Sequence, residues 1–248
     1  MKATVVLGTV AALGVAAASV AVVQSGWVTG TDSSVTRLEG SAAQAVTVPV
    51  QGRPRTVTRG KTAPPNIDQG WVRRTAAATG IPEPAVAAYG AAVLKLPDGC
   101  QLGWTTLAGI GWVESQHGTI DGRTLGADGV SSETILGPAL DGEKFAAIRA
   151  TPESTALHGN PVWDHALGPL QFIPSTWKRW GTDGDGDDVA DPHDLDDAAA
   201  AAAAYLCHGG YDLTTSKGWS AAVFSYNHEN AYVVSVYQAA DRYGRAVA

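Results

Sequence analysis

Seven consecutive alanines, Ala198 to Ala204, stand behind Asp196 and Asp197 and run into Tyr205-Leu206-Cys207. Alanine is the best helix former, and acids suit the positive end of a helix, so 196–207 reads as a helix. Other segments follow the same pattern. Pro82 to Leu96 predicts a helix opened by proline and closed by Pro97-Asp98-Gly99. Leu102 to Glu114 predicts a second. A short one starts at Pro174-Ser175, where Ser175 is a cap before it is anything else. Ser220 to Tyr243 gives one or two more. No segment shows the sustained alternation of a sheet, and no internal repeat is present. The expected class is mainly α.

The first residues predict a fate outside the cytoplasm. Met1-Lys2 opens a stretch to Val23 with no further charge, and Ser19-Val20-Ala21 offers a small-residue cleavage site. This reads as a secretory signal, or, because some twenty apolar residues are about enough to span a bilayer, as an uncleaved anchor. Either way the rest is exported, to the cell wall or beyond. Residues 24 to 67 lack a sustained period and are rich in Ser, Thr, Gly, Gln and Pro, the composition of a flexible tether. The folded domain is expected over 68–248, roughly 180 residues, enough to bury about 70% of its unfolded surface.

Cysteine usage fits export, and the charge balance excludes one class of partner. Net charge is −7, but Met1 to Gly99 carries 9 Lys/Arg against 5 Asp/Glu, and the remainder 8 against 19. An acidic domain lacks the basic footprint that nucleic acid requires. The basic run Arg53, Arg55, Arg59, Lys61 fits either contact with an anionic wall or membrane, or a solvated linker. Cys100 and Cys207 are the two cysteines. In an oxidising compartment one disulfide is the simpler reading, two separate buried thiols the other. The six histidines show no metal-ligand spacing, and His117 is expected at the surface or hydrogen-bonded.

The segment Thr105-Thr-Leu-Ala-Gly-Ile-Gly-Trp-Val-Glu114-Ser-Gln-His-Gly118 is the most informative about chemistry. On a helix, Leu107, Ile110, Gly111 and Glu114 share one stripe. A carboxylate there loses hydration and its pKa rises, as a general acid near neutral pH requires. Gly111 is expected to leave room for a ligand, and Gly118 to let the chain leave the helix. A buried glutamate that only anchors hydrogen bonds fits the periodicity too.

Gly-Ile-Gly-Trp-Val-Glu-Ser-Gln-His-Gly resembles the catalytic segment of the lytic transglycosylases, whose helix ends in a Glu-Ser pair. Gly168-Pro-Leu-Gln-Phe-Ile-Pro-Ser-Thr-Trp177 is similar to the second motif of that family, and Phe224-Ser-Tyr-Asn227 to the third. The best fit is the membrane-bound lytic transglycosylase B family in an exported, actinobacterial-looking form, over residues 68 to 243. The resemblance implies a lysozyme-like helical fold and cleavage of the β-1,4 bond between N-acetylmuramic acid and N-acetylglucosamine in peptidoglycan. It implies Glu114 as the single acid and base, the sugar's acetamido group in place of a second carboxylate, and 1,6-anhydro-muramyl ends. Position by position, Gln171, Tyr226 and Asn227 would hold sugar groups or the glutamate, and Ser115 would sit beside it. Phe172 and Trp177 are expected as packing aromatics, with sugar stacking the other reading. A monomer is expected.

Asp183, Asp185, Asp187, Asp191 and Asp194 occupy positions 1, 3, 5, 9 and 12 of a twelve-residue frame, and Val189 at position 7 would offer its carbonyl. This is EF-hand spacing, suited to structural Ca²⁺, and the resemblance carries such a loop. Position 6 is Asp188 rather than Gly and position 12 is Asp rather than Glu, which leaves a solvated acidic loop without metal as the other reading. Two rival functions stand beside the transglycosylase. A lysozyme-type hydrolase would need a second carboxylate, with Asp121, Glu133 and Asp164 as candidates. A non-catalytic wall-binding module would need none.

Overall fold

A computed structural model describes residues 67–248. The signal or anchor over 1–23 and the tether up to residue 66 lie outside the described residues. The elements in chain order are α1 (Gln69–Thr79), α2 (Glu83–Leu94), α3 (Trp104–Ser115), β1 (Leu136–Ala139), α4 (Pro152–His158), β2 (His165–Leu167), α5 (Pro174–Trp180), α6 (Leu195–His208), α7 (Ser216–Tyr226) and α8 (Asn230–Ala246). The mainly α class holds. The region expected as one or two helices after Ser220 is two, broken at Asn227, whose backbone is extended.

Local chemistry sets these boundaries. Asp68 caps α1 by accepting from the Gly70 N–H, and Gly80 ends it in the left-handed conformation. Asp194 caps α6 through the Asp196 N–H, ahead of the expected alanine run. Thr151 and Ser154 form a reciprocal capping box on α4. Helices α1 and α4, absent from the sequence expectation, are therefore signalled by caps rather than by apolar period. Ser175 lies inside α5, where Ile173 is the cap residue and makes no side-chain capping bond.

Helix α3 is the centre of the core. Ten of its twelve residues are buried, so it is enclosed on nearly every side and has no single apolar stripe. The exposed position is Trp112, with Val113 partly covered. Helix α8 lies closest to it: a Cβ on Gly109 would stand 2.7 Å from the Val236 carbonyl oxygen. Helix α2 packs on α6, and both bury alanines, Ala85, Ala88 and Ala92 on one and Ala198, Ala199 and Ala202 on the other. Small side chains let helix axes approach. Trp71 and Trp104 meet edge to face at 5.6 Å beside them.

Cys100 and Cys207 form a disulfide, with Cα atoms 5.7 Å apart. It ties the approach to α3 to the end of α6, 107 residues later. β1 and β2 form a short antiparallel pair, with Leu136 opposite Leu167 and Ala139 opposite His165. Strands of three and four residues carry too few positions to show alternation. The pair matters because the second motif hangs from it: the Gly168 N–H bonds the Ile135 carbonyl, and Leu167 and Phe172 bond each other's backbone.

Candidate active site

Glu114 sits in the last turn of α3 and is only 5% exposed. Its Oε1 accepts a 2.7 Å hydrogen bond from the Tyr232 hydroxyl in the first turn of α8. Its Oε2 is buried and has no hydrogen-bond partner among the described residues. Burial pushes the carboxyl from about 4.5 up to about 8, against the opposing pull of Tyr232. The side chain is therefore a neutral acid at pH 7, with one oxygen held and the other open to a proton acceptor.

Two consequences are measurable. The folded pKa lies above the unfolded one, so the stability this group contributes is complete below about 4.5 and falls as pH rises to about 8. Each pH unit in that window removes up to about 1.4 kcal/mol. Glu114→Gln, isosteric and always neutral, is expected to escape that loss, and urea denaturation at pH 5 and pH 8 checks the slope. Tyr232→Phe removes a donor that favours the ionised form. A hydrogen bond to a charged group is worth about 1.5–3 kcal/mol, so the alkaline limb of any Glu114-dependent activity should move up by about one to two pH units.

Aromatic side chains fill the surroundings. Tyr226 and Tyr232 stack nearly parallel at 6.5 Å, and Phe172 and Tyr205 meet Tyr226 edge to face at 5.9 and 5.7 Å. Tyr226 is fully buried and donates to the Leu170 carbonyl at 2.8 Å, which fixes the second motif against α7. Gln171 is buried in the left-handed region, φ 52°, with its side-chain amide donating to the Gly168 carbonyl at 2.9 Å. Its carbonyl oxygen lies against Gly137: a Cβ there would come within 2.6 Å of it. Asn227 is buried at the C-terminus of α7. Ser115 turns its hydroxyl to the Pro169 carbonyl at 2.6 Å and accepts from the Gly118 N–H. Ser115 on α3 and Tyr226 on α7 thus each reach the second motif through a backbone carbonyl, those of Pro169 and Leu170, and Tyr226 stacks on the Tyr232 that holds Glu114. Trp177 packs on Phe172.

Tyr232, the direct partner of Glu114, was not anticipated from sequence. Its side chain reaches Glu114 only because α8 lies along α3; the available signal was a tyrosine six residues after the third motif's own. Gly111 also differs from expectation. A Cβ on it would collide with the Tyr89 hydroxyl, so the notch it makes is filled by α2 rather than left for a ligand. The helix ends before Gly118, and Gln116, His117 and Gly118 all have positive φ. His117 is buried rather than at the surface, and hydrogen-bonded.

The candidate second carboxylates are engaged elsewhere. Asp121 and Glu133 are exposed beside Arg123, at 3.1 and 3.9 Å. Asp164 is buried, accepting from Ser154 at 2.5 Å and lying 3.2 Å from His158.

In the acidic loop, Asp183, Asp185 and Asp187 bring carboxylate oxygens within 4.8 Å of one another. Each also accepts a backbone N–H from a residue two or three ahead, which curls the loop. Asp191 and Asp194 turn their carboxylates to the His193 and Asp196 N–H groups and stand outside that trio; Val189 is exposed. Asp197, outside the frame, accepts from Gly184 and Asp191 and closes the loop onto α6. Burial, with repulsion from neighbouring acids, raises Asp194 to about 7 and Asp196 to about 6. Lys95 reaches in from the end of α2 to the Gly184 carbonyl. A trio of clustered oxygen donors among mutually repelling acids suits a hard divalent cation.

Residues 150–224 match the family model of the Transglycosylase SLT domain. No curated protein and no solved structure matches the chain. The matched span runs from α4 through the second motif, the acidic loop and α6 into α7. Glu114 precedes it, and Tyr226, Asn227 and Tyr232 follow it, so their grouping stands on the geometry above. Over residues 150–224 the chain is thus similar to a transglycosylase SLT domain, within a mainly α fold.

Proposed function

We propose that this protein is a peptidoglycan lytic transglycosylase that cleaves the β-1,4 bond between N-acetylmuramic acid and N-acetylglucosamine, with Glu114 as its one acid and base. The observation that carries the reading is the buried, neutral carboxyl with one oxygen held by Tyr232 and the other unpartnered. In the first step Oε2–H gives its proton to the glycosidic oxygen as the C1–O bond breaks. The muramyl acetamido carbonyl closes onto C1 and takes up the positive charge. In the second step ionised Glu114 removes the proton of the C6 hydroxyl. O6 then bonds to C1, the acetamido oxygen leaves, and the 1,6-anhydro ring closes with the carboxyl again protonated. Tyr232 donates to the carboxylate in the interval, when it is charged. The nucleophile belongs to the substrate, so no bound water needs placing and effective molarity is gained.

A lysozyme-type hydrolysis would need a base for water, and its three candidates are occupied by Arg123, or by Ser154 and His158. Mass spectrometry of digested, purified sacculi distinguishes the two. Muramyl ends 18 mass units lighter than the hydrolysed form are expected; reducing ends alone would overturn the transglycosylase reading. On the family pattern, Gln171, Tyr226 and Asn227 are proposed to hold sugar groups or the glutamate, with Ser115 beside it. Membership of the lytic transglycosylase B subfamily, export, wall localisation and a monomeric state belong to the same proposal.

Ca²⁺ belongs to it too, held by Asp183, Asp185 and Asp187 with the Val189 carbonyl, Asp191 and Asp194 completing the frame. Its part would be structural, neutralising the acids at the start of α6. Calcium at 100 times its dissociation constant should then stabilise by about 2.7 kcal/mol, and Asp185→Asn should abolish the shift. A melting temperature unmoved by calcium or by chelator would exclude the site.

A further inference from the structure

Just beyond Glu114 lies a buried titratable group that the proposed chemistry does not use. His117 is 3% exposed. Its Nδ1 is 3.1 Å from the Tyr89 hydroxyl of α2, and its Nε2 is 2.9 Å from the Tyr243 hydroxyl of α8. A neutral imidazole has one donor and one acceptor nitrogen, so one tyrosine donates to it and the other accepts from it. The ring stays neutral because burial, and then the nearby Arg242 cation, lower its pKa to about 3. The groups facing it are Tyr89 from α2, the Trp112 ring from α3, and Tyr243 and Arg242 from α8. Arg242 covers the Trp112 ring at 4.9 Å and donates to the Tyr243 hydroxyl at 3.1 Å.

The backbone is arranged around this bridge. Gln116, His117 and Gly118 take φ of 53°, 62° and 82° in succession. Side-chain-bearing residues hold that conformation only where the surroundings over-determine it. The His117 N–H returns to the Gly111 carbonyl at 2.8 Å, across the turn that carries Glu114. Gly111 is also where the Tyr89 hydroxyl enters. On α8, Tyr232 and Tyr243 are eleven residues apart, three turns, and so share a face; one holds Glu114 and the other His117.

We infer that His117 is a positioning residue for Glu114: by bridging Tyr89 to Tyr243 it clamps the last turn of α3 between α2 and α8 and fixes where the carboxyl points. The inference rests on the reading of Glu114 as the acid and base. A residue serving only as a helix exit would be replaced without loss by glycine, which prefers positive φ. A clamp would not.

The test compares His117→Gly, His117→Gln, Tyr89→Phe and Tyr243→Phe with wild type in the full chain. Two readouts are taken: kcat and KM on purified sacculi, and the pH titration of the Glu114 carboxyl by carbon-13 NMR in glutamate-labelled protein, assigned by its disappearance in Glu114→Gln. Each Tyr→Phe change is expected to lower kcat three- to thirty-fold with KM within twofold, and to move the Glu114 midpoint down by half a pH unit or more as water reaches the carboxyl. His117→Gly should do at least as much. His117→Gln, which keeps one donor and one acceptor, should recover most of the loss. Wild-type kcat and an unmoved Glu114 midpoint in His117→Gly and both Tyr→Phe variants would overturn the inference, whatever their melting temperatures. The titration is read without substrate, so it decides this point even if wild type releases no glycan.

Discussion

Glu114→Gln is expected to abolish glycan release while leaving the fold intact. General acid–base catalysis contributes about 10²–10⁴-fold, and here one carboxyl performs both transfers, so a loss at the upper end of that range is expected. The substitution keeps the shape of the side chain and the acceptor for Tyr232, and it removes only the transferable proton. A drop of less than tenfold in soluble fragments from sacculi, with unchanged circular dichroism, would leave Glu114 as a buried anchor and favour a wall-binding module. The variant should also be more stable than wild type at pH 8, because burial opposes ionisation of the native acid. Loss of activity with gain of stability is a combination that a purely structural glutamate would not show.

The second large effect is expected at the disulfide. Cys100–Cys207 spans 107 residues. In the chain-entropy model, cross-linking a loop of that size stabilises by about 4.7 kcal/mol. Replacing both cysteines with serine should lower the melting temperature by about 10–20 °C for a domain near 180 residues. The loss should be visible in the thermal unfolding of the oxidised protein and reproduced in wild type by reductant. It should fall chiefly on the junction of α2, α3 and α6, which the bridge closes. A shift below about 3 °C would mean that helix packing alone holds that junction.

Much of the fold was legible because its signals are local. The alanine helix, the proline-opened α2 and the helix carrying Glu114 follow from propensity, caps and period, and the structure reproduces them within a few residues. The three-residue separation of α7 from α8 is not legible, because an extended Asn227 is set by the surroundings of the third motif rather than by a turn residue. The β1–β2 pair was invisible, since pairing over three or four residues is decided by what lies beneath it. At the site, the burial of Glu114 is as expected but its cause differs. Its burial comes from a helix enclosed on nearly every side, with α2, α6 and α8 packed on it, rather than from a single apolar stripe.

The partners of Glu114 and its neighbours were the part that sequence could not supply. Tyr232 and Tyr243 share one face of α8, but which buried groups they meet depends on how α8 crosses α3, and that follows from contacts such as Gly109 against Val236. Gly111 was a glycine with a reason, and the reason is the Tyr89 hydroxyl. The acidic loop was legible as a spacing, yet its hydrogen bonds are divided between a curled trio and the cap of α6.

The most direct measurement is the ionisation of Glu114 itself, followed through its carboxyl carbon-13 resonance from pH 3 to pH 10. A midpoint near 8 is expected, with the acid still protonated at neutral pH. A midpoint near the ordinary value of about 4.5 would mean that water reaches the carboxyl, and a single acid and base at this position would be contradicted.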